Sequence, residues 1–204
     1  MPAGTDVPLQ LVLELDLTDK KLPIASKKPI KRLPLLYPFK YGIGGGEVQY
    51  SVVSDTKVKI LYMSSPKPDA PDYQYLEVDE LPLLSLDLVP LTYEEARILA
   101  FMGIDGHFRP NKDDRAILKN LEKVSYIPVG GRRDHIPNAG HTRCRNPKCI
   151  YNGDYVFFCC LAMVPAIPVG RDTSFWHEYE GGDVHFCFGF CHACGTVIAF
   201  NVCS

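Results

Sequence analysis

Two cysteine pairs constrain this chain more than any other feature: Cys144-Arg-Asn-Pro-Lys-Cys149 and Cys191-His-Ala-Cys194-Gly195. The first is a C-x4-C pair in which Asn146-Pro147 supplies a tight turn. The second is a C-x2-C pair followed by glycine, which permits the backbone angles such a turn needs. Together they offer four soft ligands, suited to a closed tetrahedral site, and thiolates select zinc or iron–sulfur over hard cations. The expectation is one structural Zn2+ held by Cys144, Cys149, Cys191 and Cys194, with the second pair forming a zinc knuckle at a hairpin tip in a ribbon-like arrangement. His141, three residues before Cys144, could replace one sulfur, as could Cys187 or His192, and the spacing leaves that choice open.

The chain holds eight cysteines, so the compartment matters. An even count in a secreted chain would suggest disulfides, whereas in a reducing compartment it points to metal, catalysis or burial. The opening residues MPAGTDVPLQ carry neither a basic n-region nor an apolar h-region. No stretch approaches the ~18 apolar residues of a membrane-spanning helix. A cytoplasmic location with reduced thiols is therefore expected. Cys159, Cys160, Cys187 and Cys203 lie in apolar or alternating runs and are expected to pack as small hydrophobes.

Hydrophobic alternation dominates the rest of the chain. Leu9, Leu11, Leu13, Leu15 and Leu17 follow a period of two, the mark of a strand with one buried face. A basic run, Lys27 to Arg32, precedes a short apolar segment at Leu33 to Tyr37, and Lys and Pro in such a run suit a solvated loop or strand edge. Val48, Tyr50 and Val52 alternate with Gln49 and Ser51, and Val58, Ile60 and Tyr62 with Lys57 and Lys59. The turn-forming Ser54-Asp55-Thr56 lies between them, so a hairpin is expected. Thr92-Tyr-Glu-Glu95 matches a capping box and starts a helix over Tyr93 to Met102. A second, shorter helix is expected over Asp113 to Leu121. Further strands are expected at Val124 to Pro128, Tyr155 to Val164, Val184 to Phe190 and Thr196 to Val202. The fold class is α+β, mainly antiparallel β with one or two short helices and the zinc-knuckle site in the C-terminal half. Residues 1–204 read as a single domain with a soft boundary near 103–112. It separates an N-terminal β part with a helix, 1–103, from a zinc-binding β part, 113–204.

Catalytic patterns are incomplete. His177-Glu178 begins an H-E-x-x-H pattern, but Gly181 stands where the second histidine belongs. His177, Glu180 and His185 could still form a cluster. The glycines from Gly42 to Gly46 lead into a strand, whereas a phosphate cradle needs a helix N-terminus. Arg132, Arg133, Asp134 and His135 read as a solvated turn. Cys187 near His185 is a poor candidate for an activated nucleophile, since alternate residues on one strand share a face without necessarily touching. No catalytic residue is assigned.

From Val124 to Phe200 the order is a strand ending in Gly-Gly, a cysteine pair, a buried apolar strand, Gly-Asp before an aromatic strand, and C-x2-C-G. In this order the C-terminal half resembles the YwqG-like family of bacterial proteins of unknown function. Arg132-Arg133-Asp134-His135 stands where glutamine-rich segments would be expected after Gly-Gly. The resemblance implies a mainly antiparallel β fold with few helices, and no activity.

The functional expectation is a non-enzymatic, zinc-stabilised protein-binding module, an immunity- or antitoxin-type partner of another protein such as a toxin. Exposed aromatic loops such as Tyr73 and Tyr75 suit a protein surface. The alternatives are a metal- or cysteine-dependent hydrolase using His177, Glu180 and His185, and a nucleic-acid-binding zinc protein using Arg143, Arg145 and Lys148. The formal net charge of −2 opposes the last.

Overall fold

The computed structural model describes residues 8–22, 24, 29–39, 41, 46–65, 67, 84–102, 109–121, 127–130, 143–153, 158–164 and 184–203. Among them the chain is mostly antiparallel sheet with two short helices. Strands β1 (Gln10–Asp16) and β2 (Arg32–Tyr37) pair as a small sheet A. Sheet B takes β3 (Glu47–Ser54), β4 (Lys57–Met63), β5 (Phe158–Val164), β6 (Val184–Cys191) and β7 (Thr196–Cys203) in the order β4-β3-β7-β6-β5. Every pairing in sheet B is antiparallel. Because β3 pairs with β7, strands on both sides of the 103–112 segment share one sheet.

Alternation puts Val48, Tyr50 and Val52 of β3, Phe186, Phe188 and Phe190 of β6, and Val197 and Ala199 of β7 into one core. Leu33, Leu35 and Tyr37 of β2 enter it from sheet A. Tyr37, Phe39 and Phe186 meet there as an aromatic triplet, with ring centroids 4.6–5.2 Å apart; such tilted contacts suit the ring quadrupoles. Tyr50 ties the sheets by hydrogen bonds as well. Its hydroxyl donates to the Pro34 carbonyl at 2.9 Å and accepts the Leu36 N–H at 2.8 Å. Asp55, in the β3–β4 turn, accepts the N–H groups of Lys31 and Arg32 and so fixes the start of β2.

Bulges change which residues the alternation buries. Val12 is the extra residue between the Leu11↔Leu36 and Leu13↔Leu35 pairs. Val12 and Leu13 therefore both pack against the core, while Leu11 is exposed. In the hairpin, Val58 and Ile60 pack inward, and Lys57 and Lys59 are exposed, as expected. Tyr62 departs from that pattern: an extra residue at Leu61 places Tyr62 opposite Gln49 and gives the buried position to Met63.

The helices form where expected. Helix α1 spans Tyr93–Met102. Its capping box is closed both ways: Thr92 N–H donates to Glu95 Oε2 at 2.8 Å, and Glu95 N–H to Thr92 Oγ1 at 3.3 Å. Helix α2 spans Lys112–Leu121, capped by Asn111 Oδ1, which accepts the N–H groups of Asp113 and Asp114. Arg97 of α1 pairs with the buried Asp114 of α2. The segment expected as a strand from Val124 is described from 127 on, where Val129 makes an isolated bridge to Ala162. No helix among the described residues is long and apolar enough to cross a membrane.

Two predictions follow from this packing. Tyr50→Phe leaves the Leu36 N–H and the Pro34 carbonyl without their partner, and should cost about 1–3 kcal/mol, read from the urea midpoint. The Asn111 N–H, and after it the Arg97 guanidinium, hold the Asp114 carboxyl below its ordinary value. Stability from this group is thus present above the unfolded aspartate pKa of about 3.9 and is lost as pH falls through the lower folded value. Asp114→Asn should flatten that acid limb in pH-dependent unfolding.

Candidate metal centre

Sheet B buries its second face too. Cys187 and Cys191 of β6 and Ile198, Phe200 and Val202 of β7 point away from sheet A, and Cys144 and Cys149 of the 143–153 loop close over them. The four sulfurs of Cys144, Cys149, Cys191 and Cys194 lie within 4.8 Å of one another. Cys144 Sγ is 3.6 Å from Cys194 Sγ, and Cys149 Sγ is 3.8 Å from Cys191 Sγ. Each close contact therefore joins one cysteine of the first pair to one of the second. These separations far exceed the ~2.0 Å of a disulfide. They match the ~3.8 Å edge of a tetrahedron built on metal–sulfur bonds of ~2.3 Å. The donor set and its geometry fit a metal ion such as zinc.

Local backbone explains why the sulfurs converge. Cys191 ends β6 and Thr196 begins β7, so the C-x2-C pair occupies the hairpin turn. Gly195 N–H donates to the Cys191 carbonyl at 2.8 Å, and Gly195 has φ +70°. A side chain there would meet the Phe190 ring at ordinary contact distance, so the requirement for glycine is one of backbone angle rather than space. In the first pair, Asn146 Oδ1 accepts the Lys148 N–H at 3.0 Å, and the Asn146 carbonyl accepts the Cys149 N–H at 3.0 Å. Gly153, at φ +81°, returns its N–H to the Cys144 carbonyl at 2.8 Å.

Backbone N–H groups also point at sulfur. Cys149 Sγ accepts the Tyr151 N–H at 3.4 Å, Cys144 accepts from Asn146, and Cys191 accepts from Cys194 and Ala193. Without metal the thiols divide their protons unevenly. A hydrogen bond from Cys144, with those backbone donors behind it, draws Cys191 down to about 5 against the opposing effect of burial. Cys144 is pushed up by the same shared hydrogen bond and by burial, and Cys149 is pushed up by burial. A divalent cation would displace the remaining protons, since thiolate is the ligand form.

Two residues that the sequence did not single out, Gln49 and Thr196, hold the centre in place. Gln49 was expected on the outward face of β3, yet it is fully buried because the 143–153 loop covers it. Its amide NH2 donates to the Arg143 carbonyl and to Glu47 Oε1, and its Oε1 accepts the Arg145 N–H at 2.8 Å. It thereby grips the backbone on both sides of Cys144. Thr196 joins the two loops: its hydroxyl lies 3.0 Å from Cys194 Sγ and accepts the Asn146 amide at 3.3 Å. A buried polar residue at an alternating strand position has no distinct sequence signature, because its partners lie almost a hundred residues away.

Of the suggested substitutes, Cys187 and His192 do not join this cluster. Cys187 packs on the same face, but the four converging sulfurs are those of the two pairs. His192 is exposed, with its ring edge-on to Phe190 at 6.3 Å. His141, His177, Glu180, and the turn from Arg132 to His135 lie outside the described residues, as do Tyr73 and Tyr75. His185 is on β6, with Nδ1 buried and lacking a hydrogen-bond partner among the described residues.

Comparison with protein-family models, with curated proteins and with solved structures finds no significant match.

Gln49 supplies the sharpest test of this geometry. Gln49→Leu roughly keeps the volume and removes the grip on residues 143 and 145, a loss of about 1–3 kcal/mol in all for part-buried backbone groups left without this partner. The variant should lose stability and bind metal more weakly in a chelator competition.

Proposed function

We propose that Cys144, Cys149, Cys191 and Cys194 hold one structural Zn2+, and that the clamped β scaffold is a protein-binding module. The observation that carries this reading is the closed four-sulfur cluster, cross-paired at 3.6 and 3.8 Å and packed with Ile198, Phe200 and Val202 of sheet B. Four thiolates complete a tetrahedron, whereas catalytic zinc keeps a position open for water or substrate. The residues around the cluster do structural work. Gln49 and Thr196 fix the two loops, and backbone N–H groups offset thiolate charge. The C-x2-C-Gly turn has the form of a zinc knuckle.

A scaffold whose centre is closed must act through its surface. An immunity- or antitoxin-type pairing with a toxin is the biological form this reading takes. The likeness to the YwqG-like family supports the antiparallel β fold and contributes no activity.

The metal can be tested directly. Purified chain should carry about one zinc per molecule, as a four-cysteine structural site implies. Cobalt(II) replacement should give the intense visible bands of a tetrahedral thiolate site. Cys194→Ser should lower both metal retention and the melting temperature, because the free energy of binding is part of the free energy of folding. Iron with its own visible absorption, or a Cys194→Ser variant that melts like the parent, would overturn the assignment.

A further inference from the structure

The second face of sheet B continues past the metal loop toward β4, whose charged side chains on this face are lysines. Lys57 and Lys59 alternate with the inward-packing Val58 and Ile60, and both lysines are exposed. Lys59 lies opposite Ser51, and Ser51 opposite Thr196, whose hydroxyl takes the Asn146 amide. The face therefore runs without a break from Lys59 to the loop that carries the exposed Lys148. Arg143 and Arg145 flank Cys144, and the Arg145 guanidinium sits 4.9 Å from the centre of the Tyr62 ring. Lys57, Lys59 and Lys148 make no ion pair among the described residues, and Arg145 lies within electrostatic reach of Glu47. Glu47, the carboxylate this face holds among those residues, already accepts the Gln49 amide.

An apolar element lies beside these cations. Ile150 is 81% exposed and Tyr151 43% exposed, on a turn braced by the Tyr151 N–H bond to Cys149 Sγ and by the Asn152 N–H bond to the Cys149 carbonyl. A large apolar side chain on a braced turn loses little conformational freedom when a partner covers it, and such side chains make good anchors.

We propose that this face receives an acidic segment of a partner protein, with carboxylates on the Lys57–Lys59 and Arg145–Lys148 cations and an apolar side chain against Ile150 and Tyr151. The inference names the partner class of the binding module described above, and it rests on that reading. Two observations favour protein over nucleic acid. The face of Tyr62 is already taken by Arg145, so it does not offer a base a stacking platform. The formal net charge is −2, so the whole-chain field does not draw in a polyanion, whereas a local patch of cations with an apolar anchor suits a short acidic segment.

The test uses the full zinc-loaded chain and a fluorescent glutamate-rich peptide carrying two leucines, followed by anisotropy across a salt series. Saturable binding that weakens with salt is expected. Lys57→Glu combined with Lys59→Glu, placed away from the sulfurs, should lower affinity about ten-fold or more through lost charge complementarity, with metal content and melting temperature unchanged. Ile150→Ser should weaken binding while preserving its salt dependence. No saturable binding would overturn the proposal, as would undiminished binding by the double lysine variant. Oligothymidine binding tighter than the peptide would make the partner a nucleic acid instead. A loss confined to Arg145→Glu with Lys148→Glu, accompanied by loss of metal, would show that the cations serve the thiolates. Metal content on the same samples separates the two readings. Zinc retained without peptide binding sinks this inference alone, and peptide bound by a metal-free chain sinks the zinc assignment alone.

Discussion

A buried carboxamide must satisfy two N–H donors and an oxygen acceptor, and Gln49 does so with the Glu47 carboxylate and the backbone on either side of Cys144. That one side chain makes the second face of sheet B possible. It gives the 143–153 loop the kind of donor–acceptor pair that a neighbouring strand would supply, although the loop has no strand of its own. Cys144 is thereby held over β3 and β7, where it meets Cys194 from the β6–β7 turn. Thr196 then locks the two loops together through one hydroxyl. Residues from both ends of the sequence thus build the site, and a metal bound there would stabilise the pairing of β3 with β7 as well as its own loops.

Short-range physics made much of the fold legible in the sequence. The Thr92–Glu95 box marked the start of α1 because its partners are three residues apart, and the structure closes it in both directions. The β3–β4 hairpin was readable from alternation and a polar turn. The Cys191–Cys194 turn fell between two strands because aromatic and aliphatic alternation ran up to it on both sides. What alternation could not give was the count across a bulge. Val12 and Leu61 each shift the parity of a strand, so Leu11 turns outward and Tyr62 crosses to the metal face. Periodicity also cannot say whether a sheet's second face is covered. Gln49 looked like a solvent-facing residue until the 143–153 loop came down on it.

Tyr62 shows how one bulge changes the chemistry of the site. Had the strict alternation of Val58 and Ile60 continued, Tyr62 would have packed in the main core, as Met63 does now. Moved to the other face, its ring supports the Arg145 guanidinium, one residue from Cys144. Arg145 also donates its backbone N–H to Gln49. The residue is therefore fixed through its main chain by hydrogen bonding and through its side chain by the cation–π contact.

Charge explains why such an arrangement belongs beside this cluster. A divalent cation held by four thiolates would leave a net charge of about −2, and that charge must be offset close by. Backbone N–H groups from Asn146, Tyr151, Ala193 and Cys194 do part of this at hydrogen-bond range. Arg143, Arg145 and Lys148 stand farther out, where water screens them and their influence on the sulfurs is correspondingly weaker. Lys57 and Lys59 lie on β4, beyond β3 and β7 in the sheet order. Glu47, Gln49 and Ser51 of β3 stand between them and the metal loop, so the two lysines form a cationic group of their own, and that group is what a partner could read.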